Sequence, residues 1–238
     1  MTQTLIQKSF RPFKALLPGF IWKPIRCACT ALLTPALFSY RTGHFLSSLK
    51  MAPVSRKGEP LPWYTYPCID FLRCRTYDEK LIVEFGGGHS TLWWSQRAKH
   101  VITFEGDKAW FEHLQKKLSS NVSLFLVSME DRLACVKQIH NLLATLPYER
   151  YDVLIIDGLY RYEMIDIACQ YVSNQGVIIC DDAEGYGFHE GFVERDFCRA
   201  DFFGHAPGVV LPRCTSLFFR PNAFVFDRHY PIPVIAQI

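Results

Sequence analysis

The first 58 residues of this 238-residue chain contain no aspartate and no glutamate. They hold nine of its 26 basic residues (Lys8, Arg11, Lys14, Lys23, Arg26, Arg41, Lys50, Arg56 and Lys57), which leaves 17 basic against 23 acidic residues, a net of −6, for the remainder. A basic, aromatic-rich leader on an acidic body suits contact with an anionic surface, either membrane lipid or nucleic acid. A solvated arm that packs its apolar residues on the domain has the same composition.

Long apolar runs are also missing. The longest uncharged stretch of the leader, Cys27 to Tyr40, has 14 residues and contains Pro35. A bilayer-spanning helix needs about 20 apolar residues, so a crossing is excluded. Basic residues and prolines interrupt residues 8–26, which argues against a signal peptide. Peripheral attachment through Phe10, Phe13, Phe20, Ile21 and Trp22 stays open. Nine cysteines occur without a Cys-x-x-Cys pair. Cys135, Cys169, Cys180, Cys198 and Cys214 sit singly inside periodic segments and read as reduced, buried thiols. Cys27, Cys29, Cys68 and Cys74 have no finger-like spacing. Such usage points to a reducing, cytoplasmic setting, in which the leader could still touch a membrane peripherally.

No repeat or low-complexity tract is visible. A Pro- and Gly-punctuated loop at 54–67 separates the leader from an alternating pattern. Short apolar runs at 81–85, 100–105, 121–127, 151–157 and 176–182 alternate with helical stretches at 90–97, 107–118, 130–146 and 162–172. This predicts five parallel strands covered on both faces. The runs at 199–204 and 214–220 are joined by only a loop, which suits antiparallel neighbours and makes a sixth strand and a reversed seventh. The expected fold class is α/β: a doubly wound, mostly parallel seven-stranded sheet, with a helical or irregular N-terminal extension. The expected division is a leader at 1–58, a domain at 59–221 and a tail at 222–238 that docks on its own sheet or on a second subunit, as in a homodimer.

Ligands of such sheets sit at the carboxyl ends of the strands. Gly86, Gly87 and Gly88 follow the first run there, with Ser90 or Thr91 placed to cap the next helix. Glu105 ends the next run, where an acid suits ribose hydroxyls. Together they suggest a nucleoside-containing ligand. The dinucleotide fingerprint fails because Thr91 stands at its third glycine, and no G-x-x-x-x-G-K-[ST] loop exists.

"VEFGGGHST", "FEGD", "YDVLIIDG" and "GVIICDD", with the reversed final strand, resemble the successive motifs of class I S-adenosylmethionine-dependent methyltransferases over about residues 78–220. "PLPWYTYPCIDFL" (60–72) is similar to the segment that precedes the core in a bacterial subgroup. The resemblance implies a Rossmann-like methyltransferase fold and S-adenosyl-L-methionine as cofactor. It implies that Glu84 and Gly86–Gly88 line the methionine and sulfonium end, that Glu105 holds the ribose, and that Gly106 and Asp107 lie near the adenine. Met129 and Glu130 would flank the adenine ring, and Asp157 would face the reactive centre.

The acceptor is less legible. "DGLY" replaces the Asn/Asp-Pro-Pro-aromatic motif of many nitrogen methyltransferases, which directs the reading to an oxygen of a small-molecule or glycan-type acceptor rather than to nucleic acid. Asp157, Asp181 and Asp182 are similar to the Asp…Asp-Asn metal site of catechol-type O-methyltransferases, which implies Mg²⁺; Asp182 replaces Asn, and Tyr160 and Arg161 stand where that family's lysine is expected. Strand-end capping of a turn or helix is the plainer reading of Asp181 and Asp182. Asp157, Asp181, Tyr160 and His189 are the candidate catalytic residues, with Arg161, Tyr162, Glu184, Tyr186, His205 and Arg213 bordering the same face and Trp63, Tyr64 and Tyr66 as a candidate lid. Competing readings are an NAD-linked oxidoreductase, a nucleic-acid methyltransferase, and a non-catalytic cofactor-binding or membrane-associated scaffold.

Overall fold

The computed structural model of the chain describes residues 18–231. Lys8, Phe10, Arg11, Phe13 and Lys14 of the leader, and 232–238 of the tail, lie outside the described residues. Two helices come from the leader, α1 (Gly19–Thr42) and α2 (His44–Lys50), and α3 (Tyr66–Arg73) precedes the sheet. Then follow β1 (Leu81–Phe85), α4 (His89–Ser95), β2 (His100–Glu105), α5 (Lys108–Gln115), β3 (Val122–Leu126) and α6 (Arg132–Thr145). The second half holds β4 (Tyr151–Ile156), α7 (Met164–Tyr171), β5 (Val172–Cys180), α8 (Phe188–Val193), β6 (Cys198–Gly204) and β7 (Arg213–Phe219). A short 3-10 turn at Phe224–Phe226 ends the described chain.

The strands form one sheet in the order β3-β2-β1-β4-β5-β7-β6. β1 to β5 are mutually parallel, and β7 runs antiparallel to both β5 and β6. The reversed final strand is therefore as the sequence implies. Successive strand side chains point to opposite faces, so apolar runs without alternation fill two cores. Val83, Phe85, Ile102, Phe104, Leu154 and Ile156 join the core beneath α6, α7 and α8. Ile82, Val101, Val153, Ile155, Val177 and Leu217 join the opposite core with Tyr64, Ile69, Trp93 and Trp94. β5 begins at Val172, earlier than the apolar run suggests, because polar Ser173, Asn174 and Gln175 extend it next to a register irregularity with β4.

The tail settles on its own sheet as far as it is described. Ala223 and Val225 are buried, and Arg75 Nε donates to the Val225 carbonyl at 2.9 Å. All nine cysteines are free; of the five expected to be buried, Cys135 and Cys180 are, Cys169 and Cys214 are half-buried, and Cys198 is exposed.

Candidate functional site

The strand order switches direction between β1 and β4, so the carboxyl ends of these two strands open a crevice. Backbone hydrogen bonds stitch the strand ends together: Gly86 N donates to Phe104 O at 2.9 Å and Asp157 N to Phe85 O at 3.1 Å. Gly86 has φ +113°, and a Cβ there would stand 1.8 Å from the Asp157 carbonyl oxygen, so only glycine lets the two turns touch.

The acids around this turn are held in different ways. Glu105 Oε2 accepts from Gly87 N at 2.9 Å, and Oε1 accepts from Asp107 N at 2.7 Å. Its carboxylate braces the glycine turn from below. Asp107 caps α5 through Trp110 N at 2.7 Å, and the Trp110 indole donates to Gly87 O at 2.8 Å. Glu84 is fully buried; its Oε2 accepts from Thr91 Oγ1 at 2.5 Å and from Thr103 Oγ1 at 3.4 Å. Its Oε1 has no partner. Burial pushes the Glu84 carboxyl up to about 8, against the pull of the neighbouring Ser90 and Thr91 hydroxyls. Thr91 also accepts from Gly88 N at 3.0 Å, so the turn, its helix and Glu84 form one unit. Around Gly88 the space is open: an added Cβ would meet only Ser90, at 3.5 Å.

Gly106 packs on Met129, whose Cγ would stand 2.4 Å from a Cβ placed there. Met129 and Glu130 are exposed on the turn after β3. Tyr160 joins this side, since its hydroxyl donates to Met129 O at 2.8 Å. Met129 thus ties the turns after β2, β3 and β4 together.

Beyond Asp157 lies a pocket of about 560 Å³. Its polar walls are Asp157, Asp181, Asp182, Arg161 and Arg213, with Trp63 across from them. Arg161 Nη2 binds Asp157 Oδ1 at 2.9 Å, and its Nη1 reaches Asp181 O at 2.6 Å and Asp182 Oδ2 at 3.6 Å. Arg213 Nη1 donates to both Asp182 oxygens, at 2.6 and 2.9 Å. Asp181 is buried and accepts from Thr215 Oγ1 at 2.8 Å. Burial, then repulsion by Asp157 and Asp182, raises the Asp181 carboxyl well above its ordinary value. Asp157 is also raised, by burial against the pull of Arg161.

This arrangement corrects the metal expectation. Among the described residues no group of three His, Cys, Asp or Glu side chains could hold a metal ion. Arg161 pairs with Asp157 and approaches Asp182, Arg213 claims both oxygens of Asp182, and the Asp181 carboxyl is bound by Thr215, so two of the three carboxylates that Mg²⁺ would need are already paired with resident cations. The donor set does not fit Mg²⁺.

Other sequence candidates fall elsewhere. His189 is exposed on α8, with Nδ1 2.7 Å from Arg199 Nη1. Glu184 accepts from Cys214 N at 3.0 Å. Tyr186 stacks under the Arg161 guanidinium at 4.7 Å, and Tyr162 is exposed. His205 faces the Phe38 and His44 rings. Of the three aromatics at 63–66, only Trp63 reaches the pocket, its indole fixed to Pro207 O at 3.0 Å; Tyr64 and Tyr66 are core. Sequence reasoning missed Ser47, Ser48, Met51 and Ala52, which bring α2 and its end to the pocket wall. No motif marks them; the only signal was their place in a basic leader. It also missed Trp110, one helical turn past Asp107.

No family model and no curated protein matches the chain. Solved structures do. A methyltransferase-like protein from Silicibacter pomeroyi DSS-3 is 17% identical, with 69% of this chain and 91% of that one covered at a TM-score of 0.51. Precorrin-6Y C5,15-methyltransferase from Geobacter metallireducens GS-15 is 15% identical, with 65% and 87% covered at a TM-score of 0.50. At these identities the likeness is one of fold: the chain has the Rossmann-like fold of the class I methyltransferases.

Proposed function

We propose that the chain is an S-adenosylmethionine-dependent methyltransferase acting on an oxygen of a small-molecule or glycan-type acceptor. The observation that carries this reading is the unpartnered Glu84 Oε1, buried under an open glycine turn at the switch point of the sheet. A buried carboxyl with a spare oxygen suits a cationic ligand, as the ammonium and sulfonium of this cofactor provide, because a nearby positive charge favours its ionised form.

In this reading Gly86–Gly88 and Glu84 take the methionine end. Glu105 offers the ribose its remaining lone pairs, since each of its oxygens already accepts one backbone N–H. Gly106, Asp107, Met129 and Glu130 border the adenine. When bound, the sulfonium supplies an electrophilic methyl group, and the chain's own work is alignment and proton removal. A hydroxyl acceptor must lose its proton, and carboxyls raised towards neutrality are suited to take it. Asp157 and Asp181 are the candidates, with Arg161 positioning Asp157 from 2.9 Å. The cofactor-binding unit is 59–221, while the leader at 1–58 supplies one wall of the acceptor pocket through Ser47 and Met51.

The test is a calorimetric titration with S-adenosylhomocysteine. Micromolar binding is expected, lost in Glu105→Ala and in Gly88→Val. The second variant is the cleaner, because Gly88 has extended backbone (φ −173°) and free space for a side chain, so only a ligand would meet it. Absence of binding in a folded sample free of bound cofactor would overturn the reading, and binding of NAD instead would favour the oxidoreductase.

A further inference from the structure

Helix α1 is 24 residues long and buries none of them. Phe20, Leu32 and Tyr40 are at least two-thirds exposed, and Ile21, Ile25 and Leu33 are exposed as well. Lys23, Arg26, Thr30, Thr34 and Arg41 recur at helical spacing and form one polar stripe; the rest of the circumference is largely apolar. The helix is interrupted at Gly43 (φ +79°), where a Cβ would stand 2.5 Å from Arg56 N, and the chain turns into α2. There the exposed apolar series continues with Phe45, Leu49 and Met51.

A second segment extends the same rim. Gly208 N donates to His44 Nδ1 at 3.3 Å, which pins the 207–213 loop beside α2. Val210 and Leu211 of that loop are 84% and 71% exposed. Met51 and Val209 line the mouth of the acceptor pocket, so the apolar rim and the pocket opening share a border.

We propose that α1, α2 and the Val210–Leu211 loop tip form a docking face for an anionic lipid bilayer, with the pocket mouth at its edge. Charge selects this occupant. Residues 18–58 carry Lys23, Arg26, Arg41, Lys50, Arg56 and Lys57 with a single sign, and no acidic residue accompanies them. Unbroken positive charge beside apolar side chains complements a negatively charged leaflet. The helix lies along the surface rather than across it: the 14 uncharged residues 27–40 span about 21 Å at 1.5 Å per residue, short of the ~30 Å hydrocarbon layer. No described helix is long and apolar enough to cross a membrane. The proposal stands on exposure and charge and does not depend on the cofactor.

The experiment is co-sedimentation of the full chain with phosphatidylcholine vesicles and with vesicles that add three parts in ten phosphatidylglycerol. Binding to the anionic vesicles is expected to be about tenfold stronger or more, since each surface cation contributes roughly fivefold. Half-molar salt should weaken it. The double variant Leu32→Glu/Leu33→Glu changes only exposed positions and should remove it, and Val210→Asp/Leu211→Asp should reduce it. Equal binding to both vesicle types, or none, overturns the proposal. So does a homodimer in sedimentation velocity that the Leu32→Glu/Leu33→Glu variant converts to monomer, because the face is then covered by a second copy.

Discussion

At the scale of single residues the site is governed by what burial does to acids. Glu84 is held at about 8 in the folded chain, against an ordinary 4.5, chiefly by burial. Unfolded, it ionises above its ordinary value, while the folded form keeps its proton up to about 8. Between these limits the folded state binds more protons, so stability falls as pH rises. The contribution is about 1.4 kcal/mol per pH unit across that window. Glu84→Gln does not titrate, so its stability relative to the native chain should rise from pH 5 to pH 8, as measured by urea unfolding at each pH. Parallel pH profiles for the two proteins would refute the assignment. The sequence placed an acid here by its motif. It could not show that Thr91 and Thr103 satisfy one oxygen and nothing satisfies the other, because those contacts depend on the packing of α4 and β2. The aspartates show the same limit more sharply. Their order along the chain suggested metal ligands, and the two arginines that occupy them come from the loop after β4 and from β7.

At the scale of elements, caps and turns decide where helices begin. Asp131 is exposed, and its Oδ1 accepts from Ala134 N at 2.7 Å at the start of α6. That helix buries Cys135, Ile139 and Leu143 at four-residue spacing against the sheet. Asp131→Ala removes the cap without touching this face and should lower stability by about 1 kcal/mol, whereas Asp131→Asn should retain most of it. Thermal or urea unfolding distinguishes the two, and equal loss in both would assign the effect to charge instead. Such elements were legible because period and composition agree. α6 shows helical spacing, and β1, β2 and β4 are mostly apolar without strict polar–apolar alternation. α8 and α3 were not legible: Phe188–Val193 is short, and Tyr66–Arg73 follows a proline- and aromatic-rich stretch that reads as loop. Both are held by tertiary burial, of Phe188 and Phe192 in one and of Ile69 and Leu72 in the other.

At the scale of the whole molecule the two ends of the chain behave in opposite ways. α1 touches the body where the Phe38 ring meets Tyr66 and His205, yet none of its residues is buried. The tail instead closes the core on the α3 side of the sheet, a choice its apolar composition left open. Val225 is fully buried, Phe226 lies 4.1 Å from the Phe219 ring between centroids, and Lys80 stands 4.5 Å over the Phe224 ring. Arg75 packs on the Phe71 ring and binds the Val225 carbonyl through Nε while its Nη1 is buried without a partner, so among the described residues its side-chain hydrogen bond goes to the tail. Ending the chain at Asn222 would expose the apolar ends of β5 and β7 and leave Arg75 unpaired. Burying one valine or phenylalanine contributes roughly 1.5–3 kcal/mol, so the loss should be about 3 kcal/mol or more in urea unfolding. Val225→Asp tests the same contact in the full-length chain and should give a loss of similar size, because it places a charge where no partner exists. A tail that only decorates the surface would leave both variants as stable as the parent; the buried Val225 and the Phe219–Phe226 ring contact require that both be destabilised.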